Sequence, residues 1–202
     1  EPSLHLPAPK DVEIHSCNFR SLLRWSPVPV EGGLVLYTVH YKTGAFPQWQ
    51  EMNCTRIPGT QCAFPPRIQK RRWTVWLRVR AELGRGTSPW AHTAPFVAEH
   101  NTTLSPPQVN SVSASSDSLV ITVTPPFTPE AGEILQYHVS YWENTTSTTR
   151  KELREHGTLL QMGNLKESTL YCFSVRVELE RDDNELLLGQ PSAPECHRTA
   201  MS

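Results

Sequence analysis

The sequence predicts an all-β protein made of two tandem β-sandwiches joined at one elbow. Three observations predict it. Apolar and polar residues alternate with period two, the pattern of half-buried strands. Turn signals recur between these stretches, and helix signals are nearly absent. The strands also come twice. Thr38-Val39-His40-Tyr41 returns as His138-Val139-Ser140-Tyr141, and Leu77-Arg78-Val79-Arg80-Ala81-Glu82-Leu83 returns as Phe173-Ser174-Val175-Arg176-Val177-Glu178-Leu179. A repeat of about a hundred residues is a whole domain rather than a solenoid unit.

The first half opens on Pro7-Ala8-Pro9, and strands are expected near 10–16, 20–25, 34–42, 73–83 and 89–97. Within 75–83, Val75, Leu77, Val79, Ala81 and Leu83 should face one way and Trp76, Arg78, Arg80 and Glu82 the other. Gly32-Gly33 and Gly84-Arg85-Gly86 mark turns. A polar linker is expected at 98–106, around Glu99-His100-Asn101-Thr102-Thr103, which sets domains at 1–100 and 101–202. The second half begins with Pro106-Pro107. Its strands are expected near 108–114, 118–124, 133–142, 149–154, 158–164, 170–180 and 192–198, with turns at Pro125-Pro126 and Asp182-Asp183-Asn184. About seven short strands per hundred residues is the count of an immunoglobulin-like or fibronectin type III sandwich.

The 202 residues suit two domains, each with a modest core. A net charge of −1 hides a split. Residues 1–101 carry 12 Lys/Arg against 7 Asp/Glu (+5), and residues 102–202 carry 7 against 13 (−6). The basic residues lie largely on strands and one loop with no nucleic-acid motif, so no nucleic-acid partner is expected. No apolar run approaches the ~18 residues of a membrane span, and no signal-like start is present. A membrane anchor, where the parent protein has one, is expected outside these residues.

Five cysteines occur, Cys17, Cys54, Cys62, Cys172 and Cys196, with no Cys-x-x-Cys. Disulfides and an oxidising compartment follow. Cys54 and Cys62 bracket Ile57-Pro58-Gly59-Thr60, and Cys172 and Cys196 bracket a strand, a turn and a strand. Four cysteines allow three pairings, among which sequence alone does not choose. The local pairing keeps each bridge within one domain and is preferred, with Cys17 as the odd thiol, read as a small and partly buried side chain. Three sequons agree with secretion: Asn53-Cys54-Thr55, Asn101-Thr102-Thr103 and Asn144-Thr145-Thr146.

The sequence offers no catalytic constellation. The histidines are scattered, and no Gly-x-Ser-x-Gly, phosphate loop, dinucleotide fingerprint or metal-ligand spacing appears. No catalytic residue, cofactor or metal is expected. Trp25 reads as a core residue. Trp76, Arg78 and Arg80 could stack with Trp90 in a purely structural ladder.

Leu6-Pro7-Ala8-Pro9, Asn18-Phe19, Leu22-Leu23-Arg24-Trp25-Ser26-Pro27, Leu77-Arg78-Val79-Arg80-Ala81, Thr87-Ser88-Pro89-Trp90, Tyr171-Cys172 and Cys196 together resemble the extracellular region of class II cytokine receptors. That family includes interferon, interleukin-10-type and tissue-factor ectodomains. The resemblance covers both domains and both cysteine spacings. Two departures stand out. Val75 occupies the position of a first-domain tyrosine corner, whereas the second domain keeps Tyr171. Thr87-Ser88-Pro89-Trp90 is at best half of the doubled Trp-Ser motif of class I receptors.

The resemblance implies an extracellular receptor part, membrane-anchored or secreted, that binds a helical interleukin-10-family cytokine at the elbow. An interleukin-19/20/24-type ligand is expected, with a second class II receptor chain as partner. Kinases would be reached only through an intracellular tail absent here. A secreted decoy, a protease cofactor like tissue factor and an adhesion module are the alternatives. The implied contact segments are 43–48, with Ala45, Phe46 and Gln48; 64–73, with Arg67, Lys70, Arg71 and Trp73; the linker 98–103; 126–131, with Phe127; and 181–188, with Asp183, Leu186 and Leu187. The residues make their own case. Phe46 sits in a Gly/Pro turn with no obvious core to join, and Leu186-Leu187-Leu188 cannot all alternate inward. Arg67, Lys70, Arg71 and Arg72 read as a basic patch, and Glu178, Glu180, Asp182, Asp183 and Glu185 as an acidic one, suited to steering a ligand of split charge. The competing reading is that 186–188 begin the last strand beside a solvated charged face.

Overall fold

The computed structural model describes residues 5–145, 149–181 and 184–202. The chain divides into two compact units, Glu1–Thr102 and Thr103–Ser202.

In unit 1 the strands are β1 (Lys10–Cys17), β2 (Arg20–Ser26), β3 (Leu36–Thr43), β4 (Gln50–Glu51), β5 (Gln61–Ala63), β6 (Thr74–Leu83), β7 (Gly86–Thr87), β8 (Ala91–His92) and β9 (Phe96–Val97). One sheet has the order β1-β2-β5. The other has the order β4-β3-β6-β7, with β8 and β9 also paired to β6. The sequence period explains the layers. Leu23 and Trp25 of one sheet and Val39, Leu77, Val79 and Ala81 of the other are almost fully buried and form the core.

β1 and β2 join through Asn18 and Phe19, both at positive φ (54° and 65°), with Cys17 opposite Arg20. Two residues at positive φ match the right-handed strand twist of a hairpin. That geometry suits Asn18 but strains a bulky Phe19. Compensation is visible: the Phe19 amide donates to Thr102 Oγ1 at 3.0 Å, and its ring lies 4.0 Å from the Arg71 guanidinium.

The continuous strand expected over 89–97 is two short pieces, β8 and β9. Pro95 has no amide to donate, and Thr93 bonds Leu77 with both its backbone amide and its hydroxyl. β4, β5 and β7 are two or three residues long, too short to leave a periodic signal. Ala98–Asn101 forms one helical turn, α1, inside the expected linker.

Unit 2 repeats the plan with β10 (Gln108–Ala114), β11 (Leu119–Thr124), β12 (Ile134–Glu143), β13 (Lys151–Glu155), β14 (Leu159–Met162), β15 (Leu170–Glu180), β16 (Leu186–Leu188) and β17 (Glu195–Arg198). The sheets are β10-β11-β14 and β13-β12-β15-β16, with β17 also on β15. The Tyr171 hydroxyl accepts the Lys166 amide at 2.9 Å, a tyrosine corner. In unit 1 Val75 simply fills the core at 2 % exposure. Gly189 lies where the chain crosses β15. A Cβ there would stand 2.8 Å from Val177 Cγ2 and 2.9 Å from the Val177 carbonyl oxygen, so a side chain is excluded.

Disulfides join Cys54 to Cys62 and Cys172 to Cys196, each within one unit. Cys17 lies outside both bridges. It is exposed rather than partly buried, because the alternation of β1 carries residues 13, 15 and 17 outward.

Candidate functional site

In unit 1 the segment after β3 is a tight turn. Thr43 donates its amide to the Phe46 carbonyl (3.2 Å), and the Phe46 amide donates to Thr43 Oγ1 (3.1 Å). This leaves Phe46 63 % exposed, with Ala45 and Gln48 exposed beside it. The 64–73 segment is pinned by buried Phe64 and Ile68, the latter in a short 3-10 turn, Pro66–Ile68. Its cations are partly engaged. Arg67 donates to Asn53 Oδ1 (3.1 Å), Arg71 stacks on Phe19, and Arg72 pairs with Glu99 (3.5 Å). Lys70 and Trp73 are exposed.

In unit 2 the structure redraws the acidic patch. Glu178 is buried at 1 % exposure, not on a solvated face. Its carboxylate accepts from Gln136 Nε2 (2.8 Å), Arg154 Nε (3.1 Å) and Arg176 Nη2 (3.1 Å). Glu185 is paired with the buried Arg181 at 2.7 Å, and the Arg181 amide donates to the Glu185 carbonyl. Asp182 and Asp183 lie outside the described residues, as do Thr146 of the third sequon and the two residues after it. Glu82 repeats the arrangement in unit 1. Expected to face outward, it is 4 % exposed and accepts from Arg56 and Arg80, each at 3.0 Å. Outward-facing rows are not always solvated: arginines on the same face cover the carboxylate.

Leu186–Leu188 are strand β16, not loop, with Leu186 opposite Glu180, Leu187 opposite Leu179 and Leu188 opposite Glu178. Period two then sorts them. Leu187 is half-buried beside the fully buried Leu179, while Leu186 and Leu188 are 51 % and 52 % exposed. Ile134 of β12, also opposite Glu180, is 50 % exposed. Ile134 and Leu186 therefore flank Glu180 on one face of the sheet, with Leu188 one step along that face beside Glu178. The sequence reading missed Ile134, and within the 186–188 triplet it singled out Leu187, which is half-buried, rather than the exposed Leu188. The inward set Leu135, Tyr137, Val139 and Tyr141 implies an outward Ile134, so the signal was present. Phe127, in the turn before β12, is half-buried.

The ladder on the large sheet of unit 1 is longer than expected. Lys42 lies over Trp76 and Trp49 (5.6 and 4.8 Å), Arg78 over Trp49 and Trp90 (4.4 and 4.0 Å), and Arg80 over Trp90 (4.7 Å). Each such contact contributes about 0.5–1 kcal/mol. His40 stacks on Trp90 at 4.5 Å, and its Nδ1 accepts from Arg78 at 3.1 Å. Burial and then the Arg78 and Arg80 charges hold the His40 imidazole below its ordinary value, outweighing Glu51 and Glu82. For Glu178, burial pushes the carboxyl up, but hydrogen bonds from Arg154, Gln136 and Arg176 and the Arg154 charge together hold it below the ordinary range.

Both shifts have the same sign for stability. The fold favours neutral His40 and ionised Glu178, so each contribution is complete above the unfolded pKa and is lost as pH falls toward the folded one. Thermal melts should therefore fall in two windows, one starting near pH 6.5 and one starting near pH 4.5. His40→Phe should flatten the first and Glu178→Gln the second. A melting temperature flat from pH 7.5 to 3 would contradict this.

Among the described residues no group of three His, Cys, Asp or Glu is placed to hold a metal, and no helix is long and apolar enough to cross a membrane. Loops, an apolar face and stacked cations suit contact with a macromolecule. The family model described as Tissue factor matches residues 1–90, and that described as Interferon-alpha/beta receptor, fibronectin type III, matches residues 102–200. The chain belongs to the class II cytokine receptor family. Human interferon gamma receptor 2 is 29 % identical over 98 % of this class II chain and 63 % of its own length. Mouse interleukin-10 receptor subunit beta is 28 % identical over 96 % of the chain and 55 % of its own length. Pig interferon alpha/beta receptor 1 is 30 % identical over 88 % and 33 %. The class II chain thus spans about a third to just under two-thirds of the length of these relatives. A solved chicken interferon gamma receptor alpha chain superposes with a TM-score of 0.80 at 22 % identity, covering 96 % of this chain and 99 % of that one, which supports the fold. The family and fold are non-enzymatic.

Proposed function

We propose that this chain is the extracellular ligand-binding part of a cell-surface receptor, and that it binds a helical cytokine of the interleukin-10 family with loop segments of both units. The observation that carries the reading is the trio of exposed apolar side chains Ile134, Leu186 and Leu188 around Glu180, beside the 126–131 segment. Large exposed apolar side chains gathered on one sheet face mark an interaction surface. Phe46 and Trp73 are the aromatic candidates for anchors in unit 1, with Ala45, Gln48, Arg67, Lys70 and Arg71 around them. Phe127 extends the site in unit 2. A second class II chain completes the receptor, as the names of the interferon and interleukin receptor relatives suggest. Within the family, Leu6-Pro7-Ala8-Pro9, Trp25-Ser26-Pro27-Val28 and Leu77-Arg78-Val79-Arg80-Ala81 resemble the interleukin-20 receptor beta subunit, which favours an interleukin-19/20/24-type ligand.

Competition in cells tests the reading. Excess soluble chain should suppress signalling by at least one interleukin-10-family cytokine in reporter cells, and suppression of none would overturn it. The tissue-factor match over residues 1–90 supports a second reading, a protease cofactor. It requires a coagulation-type protease to turn over faster in the presence of the chain.

A further inference from the structure

A seam of unit 1 is open between its two sheets. β1 is paired to β2, and β8 and β9 are paired to β6. Between them runs a groove of about 350 Å³ whose lining includes Val12, Ile14, Ala94, Pro95, Phe96 and Asn101. Val12 and Ile14 are half-buried, and Ala94 and Pro95 are exposed. An apolar groove beside an edge strand invites pairing with another chain, and proteins commonly cover such edges.

Asn101 is the acceptor of the Asn101-Thr102-Thr103 sequon and is itself exposed. Three bonds, one from Asn101 and two at the next residue, fix this stretch against the groove. Asn101 Nδ2 donates to the Val97 carbonyl at 3.2 Å. Thr102 is buried, and its hydroxyl accepts from Ser16 of β1 (2.9 Å) and from the Phe19 amide (3.0 Å). The sequon is thus tied to the strand that walls the groove. Oligosaccharide transfer joins Nδ2 to the anomeric carbon, releases one amide proton and expels the diphosphate of a lipid-linked donor. An amide nitrogen has two hydrogens, so one N–H remains after transfer to donate to the Val97 carbonyl.

We propose that this groove is a carbohydrate site for the chain's own N-linked glycan, in which the two core N-acetylglucosamines on Asn101 lie against Val12, Ile14 and Phe96 and cover the β1 edge. The proposal rests on the secretory reading, which supplies the glycan. Sugar ring faces and N-acetyl methyl groups are apolar, which matches Val12, Ile14 and Pro95, while Glu13 and Thr93, also on the lining, suit sugar hydroxyls, and the tethering makes the local sugar concentration high.

The test uses the whole chain from a secreting eukaryotic host, with Asn53 and Asn144 as internal comparisons. Peptide mass spectrometry should find Asn101 occupied. Under native conditions an amide-cleaving glycosidase should release the Asn101 glycan about tenfold more slowly than those at Asn53 and Asn144, and equally fast after unfolding. Removing the glycan, enzymatically or by Asn101→Gln, should speed hydrogen exchange about tenfold at residues 12–14 and 93–96. An unoccupied Asn101 would overturn occupancy. An occupied Asn101 with equal native release and unchanged exchange would overturn the seating.

Discussion

Replacing Arg154 and Arg176 together by alanine should destabilise unit 2 by about 4 kcal/mol, because it strands a buried carboxylate. Glu178 has 1 % of its surface exposed, and these two arginines supply most of its counter-charge. Single replacements should cost less, since the remaining guanidinium still pairs. Glu178→Gln should cost less than the double replacement, because Arg154 and Arg176 are 49 % and 29 % exposed and can regain water. Unit 2 is the cleaner place to look. In unit 1 the counterpart Arg80 also stacks on Trp90, so its loss removes two contacts at once. Denaturant unfolding of the whole chain, with hydrogen exchange resolving the β15 amides, gives the measurement. A loss under about 1 kcal/mol would mean that the carboxylate is not held as a buried ion.

Leu186→Asp should weaken cytokine binding about a hundredfold while leaving the melting temperature nearly unchanged. Leu187→Asp should unfold the end of unit 2 instead. The difference lies in which face each side chain takes on β16. Leu186 stands half in solvent beside Glu180, whereas Leu187 sits beside the fully buried Leu179. A hundredfold is about 2.7 kcal/mol, a hot-spot magnitude for an apolar residue made charged in a desolvated centre. Phe46→Ala should act in the same direction from unit 1, again with no loss of fold, since the ring is 63 % exposed. Unchanged affinity in Leu186→Asp, with the cytokine otherwise bound, would move the site off this face.

What was legible in the sequence follows from what period two can carry. The long strands β3, β6, β12 and β15 repeat their pattern twice and stand where the alternation put them, to within a residue or two at their ends. The pieces β4, β5 and β7 leave no pattern to read. The expected strand over 89–97 broke where Pro95 and the Thr93 hydroxyl interrupt the ladder. At the candidate site, the exposure of Phe46 and of part of the 186–188 triplet followed from local chemistry. The charge patches did not. Glu178 and Glu82 look like ordinary surface acids in a one-dimensional pattern. Only the cross-strand register, which sets Gln136 opposite Glu178, and the reach of arginines from neighbouring positions turn them into covered ions. The same limit applies to the ladder. Trp49 and Lys42 join Trp76, Arg78 and Trp90 through sheet neighbours distant in sequence.

The most direct measurement is binding of the purified chain to a panel of interleukin-10-family and interferon cytokines on a surface biosensor, alone and with each candidate second receptor chain. Saturable binding to one of them, strongest for an interleukin-19/20/24-type ligand and weakened by Leu186→Asp and Phe46→Ala, is the predicted result. Silence across the whole panel from correctly folded protein, with both disulfides formed, would contradict the account.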